Sequence, residues 1–308
     1  MPDASPADSL LAVQHEGRRR FLELVADLRP ELHRYCARMT GSIADGEDIV
    51  QDTLARAYYL LPEMNQMPAF RPWLFRIAHN RALDHLRRYE ARMSEPLDAV
   101  RDSAADPAPD PGDAIAHQQV VQLAVSRFAG LVPAQRSCVI LKDVLGHSLE
   151  DIGGLLELSV PAVKAALHRG RVRLRELAAE PQAAPPMPAS SPAVARYVAL
   201  FNARDWDGVR AMLAEDVQLD LVSRAQRQGS AVGNYLCNYD LRQDWRLAPA
   251  WLEGREVIAV FRAPGDARPG YFIELGLADG KVRFIHDFRY VPYIMRDARI
   301  EVASRRSV

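Results

Sequence analysis

The chain has 308 residues, 48% hydrophobic and 26% charged, with a formal net charge of −1, a globular composition in a length that predicts two or three domains. No run approaches the roughly 18 consecutive apolar residues of a membrane span, which argues against a membrane protein. The opening MPDASPADSL lacks the basic region and apolar core of a signal peptide, and Cys36, Cys138 and Cys237 are too far apart for a disulfide framework or a CxxC metal site. A cytoplasmic protein without metal or cofactor is the expectation.

The near-neutral total hides a segregation of charge along the chain. In DGEDIVQDTLARAYYLLP, residues 45–62, Ile49, Val50, Leu54, Ala57, Tyr58 and Leu61 form the packing face of a helix. Glu47, Asp48, Gln51 and Asp52 gather near its start. Acids there suit the helix dipole, and they equally suit a negative surface for a basic protein partner. The next helix, roughly 70–90, mixes Phe70, Trp73, Leu74, Ile77, Leu83 and Leu86 with Arg71, Arg76, His79, Asn80, Arg81, His85, Arg87 and Arg88. Arginines in that number can hold a nucleic-acid backbone, while aromatics can stack on unpaired bases. Trp73 reads better as a helix-packing residue than as a base contact.

Residues 94–113 hold six acids against Arg101, with four prolines, and predict a tether that cannot bury much apolar surface. Three helices are expected after it: 133–146 with Pro133 near its start, 148–158 opening on Ser148 and Asp151 at capping-box spacing, and 159–177 capped by Ser159. In the last, Val163, Leu167, Gly170, Leu174 and Leu177 mark a buried face. Lys164, His168, Arg171 and Arg175 run beside it, flanked by Arg169 and Arg173. Short helices ending in a basic one suggest a helix-turn-helix whose last helix enters the major groove. The plainer alternative is an amphipathic helix with a solvated basic face.

A second, Ala/Pro-rich tether at 178–192 leads into the C-terminal part. Two helices, with Val194, Val198 and Phe201 and then Val209, Met212 and Leu213 facing inward, precede a strand-like run at 217–222, and GSAVGNYLCNYD reads as another helix. Strands are expected at 245–252, 255–262, 270–277 and 281–290, with ADG at 278–280 as a hairpin turn. In KVRFIHDFRY, Phe284, His286, Phe288 and Tyr290 alternate with Arg283, Ile285, Asp287 and Arg289. Trp206, Trp245, Trp251 and Tyr271 read as core or pocket wall. His286 reads as a structural histidine first and as a cavity acid or base second, with Asp220 as its candidate partner.

Taken together, DGEDIVQDTLARAY, FRPWLFRIAHNRALDHLRR and the stretch from LVPAQRSCVILK to RGRVRLREL resemble regions 2.2, 2.3–2.4 and 4.2 of extracytoplasmic-function (ECF, group IV) RNA polymerase sigma factors, in the expected order. The resemblance implies a multidomain chain: sigma region 2 at 15–92, a linker at 93–114, a region 4 helix-turn-helix at 115–178, a linker at 179–192 and a further domain at 193–300. It implies that Glu47, Asp48, Gln51 and Asp52 dock on core RNA polymerase. Arg76, Asn80, Arg81, Asp84, Arg87 and Arg88 would engage −10 promoter DNA, and Ser159, Lys164, His168, Arg169, Arg171 and Arg173 the −35 element. The 193–300 segment resembles the SnoaL-like branch of the NTF2-like superfamily, implying an α+β cone with a pocket to which Trp206, Trp245, Tyr271, His286 and Phe288 are candidates. An intramolecular regulatory contact between that domain and the sigma regions, with or without a small-molecule ligand, is implied. The NPDKL and DGGGR-like motifs of one such group are absent. Two other functions stay open: a helix-turn-helix regulator with a small-molecule sensor, and a DNA-tethered NTF2-like enzyme. Catalysis is not expected.

Overall fold

A computed structural model describes residues 6–64, 66, 69–93, 123–180, 188–236, 239, 244–263 and 265–303. The acidic tether, residues 181–187 of the second tether and Cys237 lie outside them. The chain divides into two compact units, Met1–Pro181 and Gln182–Val308. Among the described residues the first is all helical and the second mixes helices with a sheet, as expected from the sequence; the sheet has seven strands. Among the described residues, no helix is long and apolar enough to cross a membrane.

The first unit contains α1 (Pro6–Val25), α2 (Arg29–Thr40), α3 (Ile43–Leu60), α4 (Phe70–Met93), α5 (Pro133–Val139), α6 (Leu149–Leu156) and α7 (Val160–Ala179). Local chemistry sets the helix starts. Ser42 accepts the Asp45 N–H at 3.2 Å, and Ser159 accepts that of Ala162 at 3.3 Å. Ser148 accepts the Asp151 N–H at 3.0 Å and donates to its carboxylate at 2.6 Å, holding that acid below its usual range. The helix expected over 133–146 changes pitch on the way: α5 ends at Val139 and Ile140–Val144 continues as a π turn. Where α2 crosses α3, a side chain on Gly46 would lie 2.8 Å from the Ala37 methyl carbon and closer still to its backbone. Only glycine allows that approach.

The two helical blocks, read from sequence as separate domains, share one core. Leu32, Tyr35, Met39, Leu74 and Phe75 belong to the same buried cluster as Phe128, Cys138, Val139, Leu141 and Ile152. Polar contacts accompany the apolar ones. Arg136 of α5 is buried and donates to the carbonyls of Ala129 and Leu131, each at 2.7 Å, and to that of Met39 on α2. Tyr35 meets His79 Nδ1 at 2.7 Å, and Ser137 reaches the same nitrogen at 3.4 Å. His147 packs edge-on against Phe75, with ring centroids 5.4 Å apart.

The second unit contains α8 (Pro192–Asn202), α9 (Trp206–Met212), β1 (Leu213–Leu221), β2 (Ala225–Gln228), α10 (Ser230–Leu236), β3 (Arg246–Leu252), β4 (Arg255–Phe261), β5 (Tyr271–Ala278), β6 (Lys281–Asp287) and β7 (Ile300–Val302). The strand order is β2-β1-β6-β5-β4-β3-β7, antiparallel except for the parallel β1–β6 pair. The expected hairpin forms, with Asp279 and Gly280 both at positive φ, 53° and 72°, the geometry of a type I′ turn. Val194, Val198 and Phe201 of α8 and Val209 and Met212 of α9 pack with Leu219, Ile258, Val260, Ile273 and Ile285 of the sheet. The short strands β2 and β7 and the parallel pairing had no counterpart in the sequence reading.

The joint between the helical blocks carries a pH dependence. Burial lowers the His79 pKa from 6.5 to about 4, and His147 shifts the same way, through burial first and Arg71 next. Above pH 6.5 the His79 imidazole is neutral in folded and unfolded chains alike. Between pH 6.5 and about 4 the unfolded chain gains a proton that the folded one resists, so stability falls with pH across that window. Urea denaturation across it should show a shallower loss for His79→Gln than for the unaltered chain.

Candidate nucleic-acid interface and C-terminal pocket

The α4 residues expected at −10 DNA form a surface stripe. Arg76, Asn80, Asp84, Arg87 and Arg88 are exposed, and Arg81 is half-buried. Spacings of four, four, three and one put the exposed five on one side of the helix. Arg87 donates to the Asp84 carboxylate at 3.2 Å, and Arg88 Nε to the Asp84 carbonyl at the same distance. Arg76 reaches the Gly154 carbonyl of α6 at 3.4 Å. These exposed contacts are weak enough to yield to a phosphate. Trp73 is half-buried against the core, its ring 5.9 Å from that of Phe70.

On α3 the four expected polymerase contacts separate. Asp48 and Asp52 are exposed and Gln51 is half-buried. Glu47 is fully buried, paired with Arg29 of α2 at 2.8 Å and accepting from Gln51 at 2.6 Å. Sequence spacing groups these residues near one helix end, but Glu47 falls on the side that faces α2.

The basic helix α7 separates likewise. Lys164, His168, Arg173 and Arg175 are exposed, as is Ser159 at its cap, whereas Arg169 is half-buried. Arg173 pairs with Glu176 at 2.9 Å on the surface. Arg171, in the middle of the stripe, turns back to Asp143 of the π turn in a bidentate pair of 2.9 and 2.7 Å, with the carboxylate 3% exposed. That geometry makes Arg171 the brace that fixes α7 on the π turn continuing α5. Beside His168, Arg169 and Arg173, a groove of about 430 Å³ runs along Val132 and Gln135.

In the second unit the five pocket candidates fall in different places. Trp245 lines a pocket of about 310 Å³, and Tyr271 is buried behind it at a ring distance of 5.8 Å. Trp206 packs edge-on against Phe201 in the core. His286 and Phe288 lie on the other face of the sheet, their rings 4.4 Å apart. There His286 sits between cross-strand neighbours, with Asp220 3.5 Å from Nε2 and Glu274 3.8 Å from Nδ1. Burial raises the Asp220 pKa, and the histidine opposes that rise.

Apart from Trp245, the residues that build the pocket were not among its candidates. Leu221, Arg224, Arg227, Tyr235, Tyr239, Arg289 and Tyr290 join Trp245 around it. Behind this wall the buried Asp287 accepts the Tyr239 hydroxyl at 3.2 Å and the Arg289 N–H at 2.9 Å. Desolvation raises the Asp287 carboxyl to about 6, and burial, followed by Asp287, raises the Tyr235 hydroxyl to about 12. The usable signal was Ile285, whose place in the core fixes Asp287 on the inner face by alternation. Beyond Asp287 the strand ends, so Tyr290 leaves the His286 face and joins the pocket. Among the described residues, no group of three or more His, Cys, Asp or Glu side chains could hold a metal ion.

Residues 24–92 match the model for Sigma-70 region 2, and residues 125–174 that for Sigma-70 region 4. The ECF RNA polymerase sigma factor SigF of Caulobacter vibrioides is 34% identical over 144 residues, 46% of this chain and 75% of SigF. The chain belongs to the ECF sigma factors. ECF sigma factor SigG of Mycobacterium tuberculosis is 34% identical over 220 residues, 62% of this chain and 58% of SigG, so the match spans just over half of that relative. The crystal structure of M. tuberculosis SigJ, an extracytoplasmic-function sigma factor, is 22% identical and covers 89% of this chain and 98% of its own, with a TM-score of 0.34.

Within this sigma factor the Arg171–Asp143 pair is testable by stability. Arg171→Leu strands a buried carboxylate and should cost about 3 kcal/mol, whereas the double change Arg171→Leu with Asp143→Leu should cost less, since no buried charge is left alone. Urea denaturation of the three proteins measures the difference.

Proposed function

We propose that the chain binds core RNA polymerase and directs it to promoters, with α4 at the −10 element and α7 at the −35 element, and that the C-terminal unit modulates this activity. The observation that carries the reading is the succession of a region 2 match and a region 4 match, each ending on an exposed basic helix. Asp48 and Asp52, exposed beside the buried Glu47, are the α3 carboxylates on the surface that a basic face of the polymerase would meet. Lys164, His168, Arg173 and Arg175 are the α7 groups available to DNA, and Arg171 acts by holding their helix in place.

Promoter geometry adds a requirement. Elements centred about 25 base pairs apart lie roughly 85 Å apart along straight DNA, while a helical unit of this size has a radius of gyration of about 15 Å. The two blocks therefore part before both elements are read. The connecting segment 94–122, at about 3.4 Å per extended residue, has a contour length of roughly 100 Å, sufficient for that span.

The C-terminal unit, read as an NTF2-like cone, is assigned a binding role in place of a catalytic one. His286, the favoured acid–base candidate, lies on the sheet face away from the pocket.

Transcription reconstituted with core polymerase tests the reading. The full chain should support promoter-dependent initiation, and truncation after residue 181 should change its level. Lys164→Ala with His168→Ala should weaken initiation from promoters with an intact −35 element more than binding to core. Absence of core binding by both full and truncated chains would refute the sigma role. Operator binding by the chain alone, without polymerase, would favour a helix-turn-helix regulator.

A further inference from the structure

Three guanidinium groups converge on the C-terminal pocket, each over an aromatic ring. Arg224 lies 4.5 Å from the Tyr290 ring centre, Arg227 5.5 Å from that of Tyr235, and Arg289 4.4 Å from that of Trp245. All six residues line the same pocket of about 310 Å³. Among the described residues, none of the three arginines makes a direct ion pair with a carboxylate, in contrast to Arg171 with Asp143 and Arg29 with Glu47; Asp287 attracts Arg289 only from behind the wall. A ring face attracts a guanidinium but leaves most of its five in-plane N–H donors in need of acceptors. Three such groups around one small cavity make a site for an anion.

We infer that this pocket binds a small aromatic carboxylate. The planar, largely apolar body suits walls of tyrosine and tryptophan, and pockets of about 300 Å³ and upward are the usual size for small ligands. The carboxylate suits the guanidinium forks, which recognise it through paired hydrogen bonds. A multiply charged anion fits less well, because the Asp287 carboxyl lies just behind the Tyr239 wall and repels added negative charge. Asp287 also positions the wall, through the Tyr239 hydroxyl on one oxygen and the Arg289 N–H on the other. The inference rests on the C-terminal unit alone and stands or falls separately from the promoter reading.

The test is calorimetric titration of the full chain with 2-naphthoate, with the uncharged 2-naphthalenemethanol and with inorganic phosphate. Saturable binding of 2-naphthoate is expected, at least about tenfold tighter than either control, since one charge-assisted contact is worth about a factor of ten or more. The double variant Arg224→Gln with Arg227→Gln should bind naphthoate at least about tenfold more weakly. Both positions are exposed, Arg227 on the edge strand β2 and Arg224 in the turn before it, so its thermal midpoint should be unchanged, and Arg289→Gln supplies an independent variant. No saturable binding, equal affinity for the alcohol, tighter binding of phosphate, or undiminished affinity in the folded double variant overturns the inference. Any of these leaves core binding and promoter-dependent initiation untouched.

Discussion

Arg136 is a cation taken out of water with no carboxylate in contact among the described residues; main-chain carbonyls take its place. Its donors go to Leu131 and Ala129 beside its own helix and to Met39 at the end of α2. Burial lowers its pKa to about 10, which still leaves it charged at neutral pH. A guanidinium so placed is expensive unless each acceptor is held in position. Three carbonyls from two segments of chain must therefore stay where they are, and the apolar cluster around Tyr35, Phe75 and Cys138 packs about that arrangement.

Other arginines of the helical unit differ in what they touch. Arg29 and Arg171 are spent on the buried carboxylates Glu47 and Asp143, where bidentate or multiple hydrogen bonds repay desolvation. On the outer side of α4 and α7, Arg87 and Arg173 pair with the exposed Asp84 and Glu176, contacts that screening makes weak. Basic composition thus serves two purposes in the same helices. One fixes the angle of α7; the other leaves positive charge on the surface.

Much of the architecture was legible in the sequence because it depends on local rules. Ser42, Ser148 and Ser159 mark helix starts through caps that any chain would make, and ADG forms the hairpin turn its residues favour. The alternation in KVRFIHDFRY separated the two sheet faces correctly up to Asp287. What escaped depended on contacts distant in sequence. Nothing near Glu47 announces Arg29 as its partner, and nothing near Arg171 announces Asp143, which is 28 residues away. The pocket was missed for a related reason: Trp245 and Tyr271 were found as aromatics, but Arg224, Arg227 and Arg289 meet only when β2 pairs with β1 and the chain turns after β6.

The shared core of the two helical blocks has a thermodynamic consequence for any partner that needs them apart. Such a partner sees only the fraction of chains that have opened, so its apparent Kd is the intrinsic value divided by that fraction. If closure is favoured by about a hundred to one, affinity falls about a hundredfold with no residue changed at the contact surface. The residues that set this ratio, Arg136, His79 and Phe75 among them, need never touch the partner. Substitutions in the interior between the blocks would then tune the apparent affinity for such a partner without altering the surface it contacts.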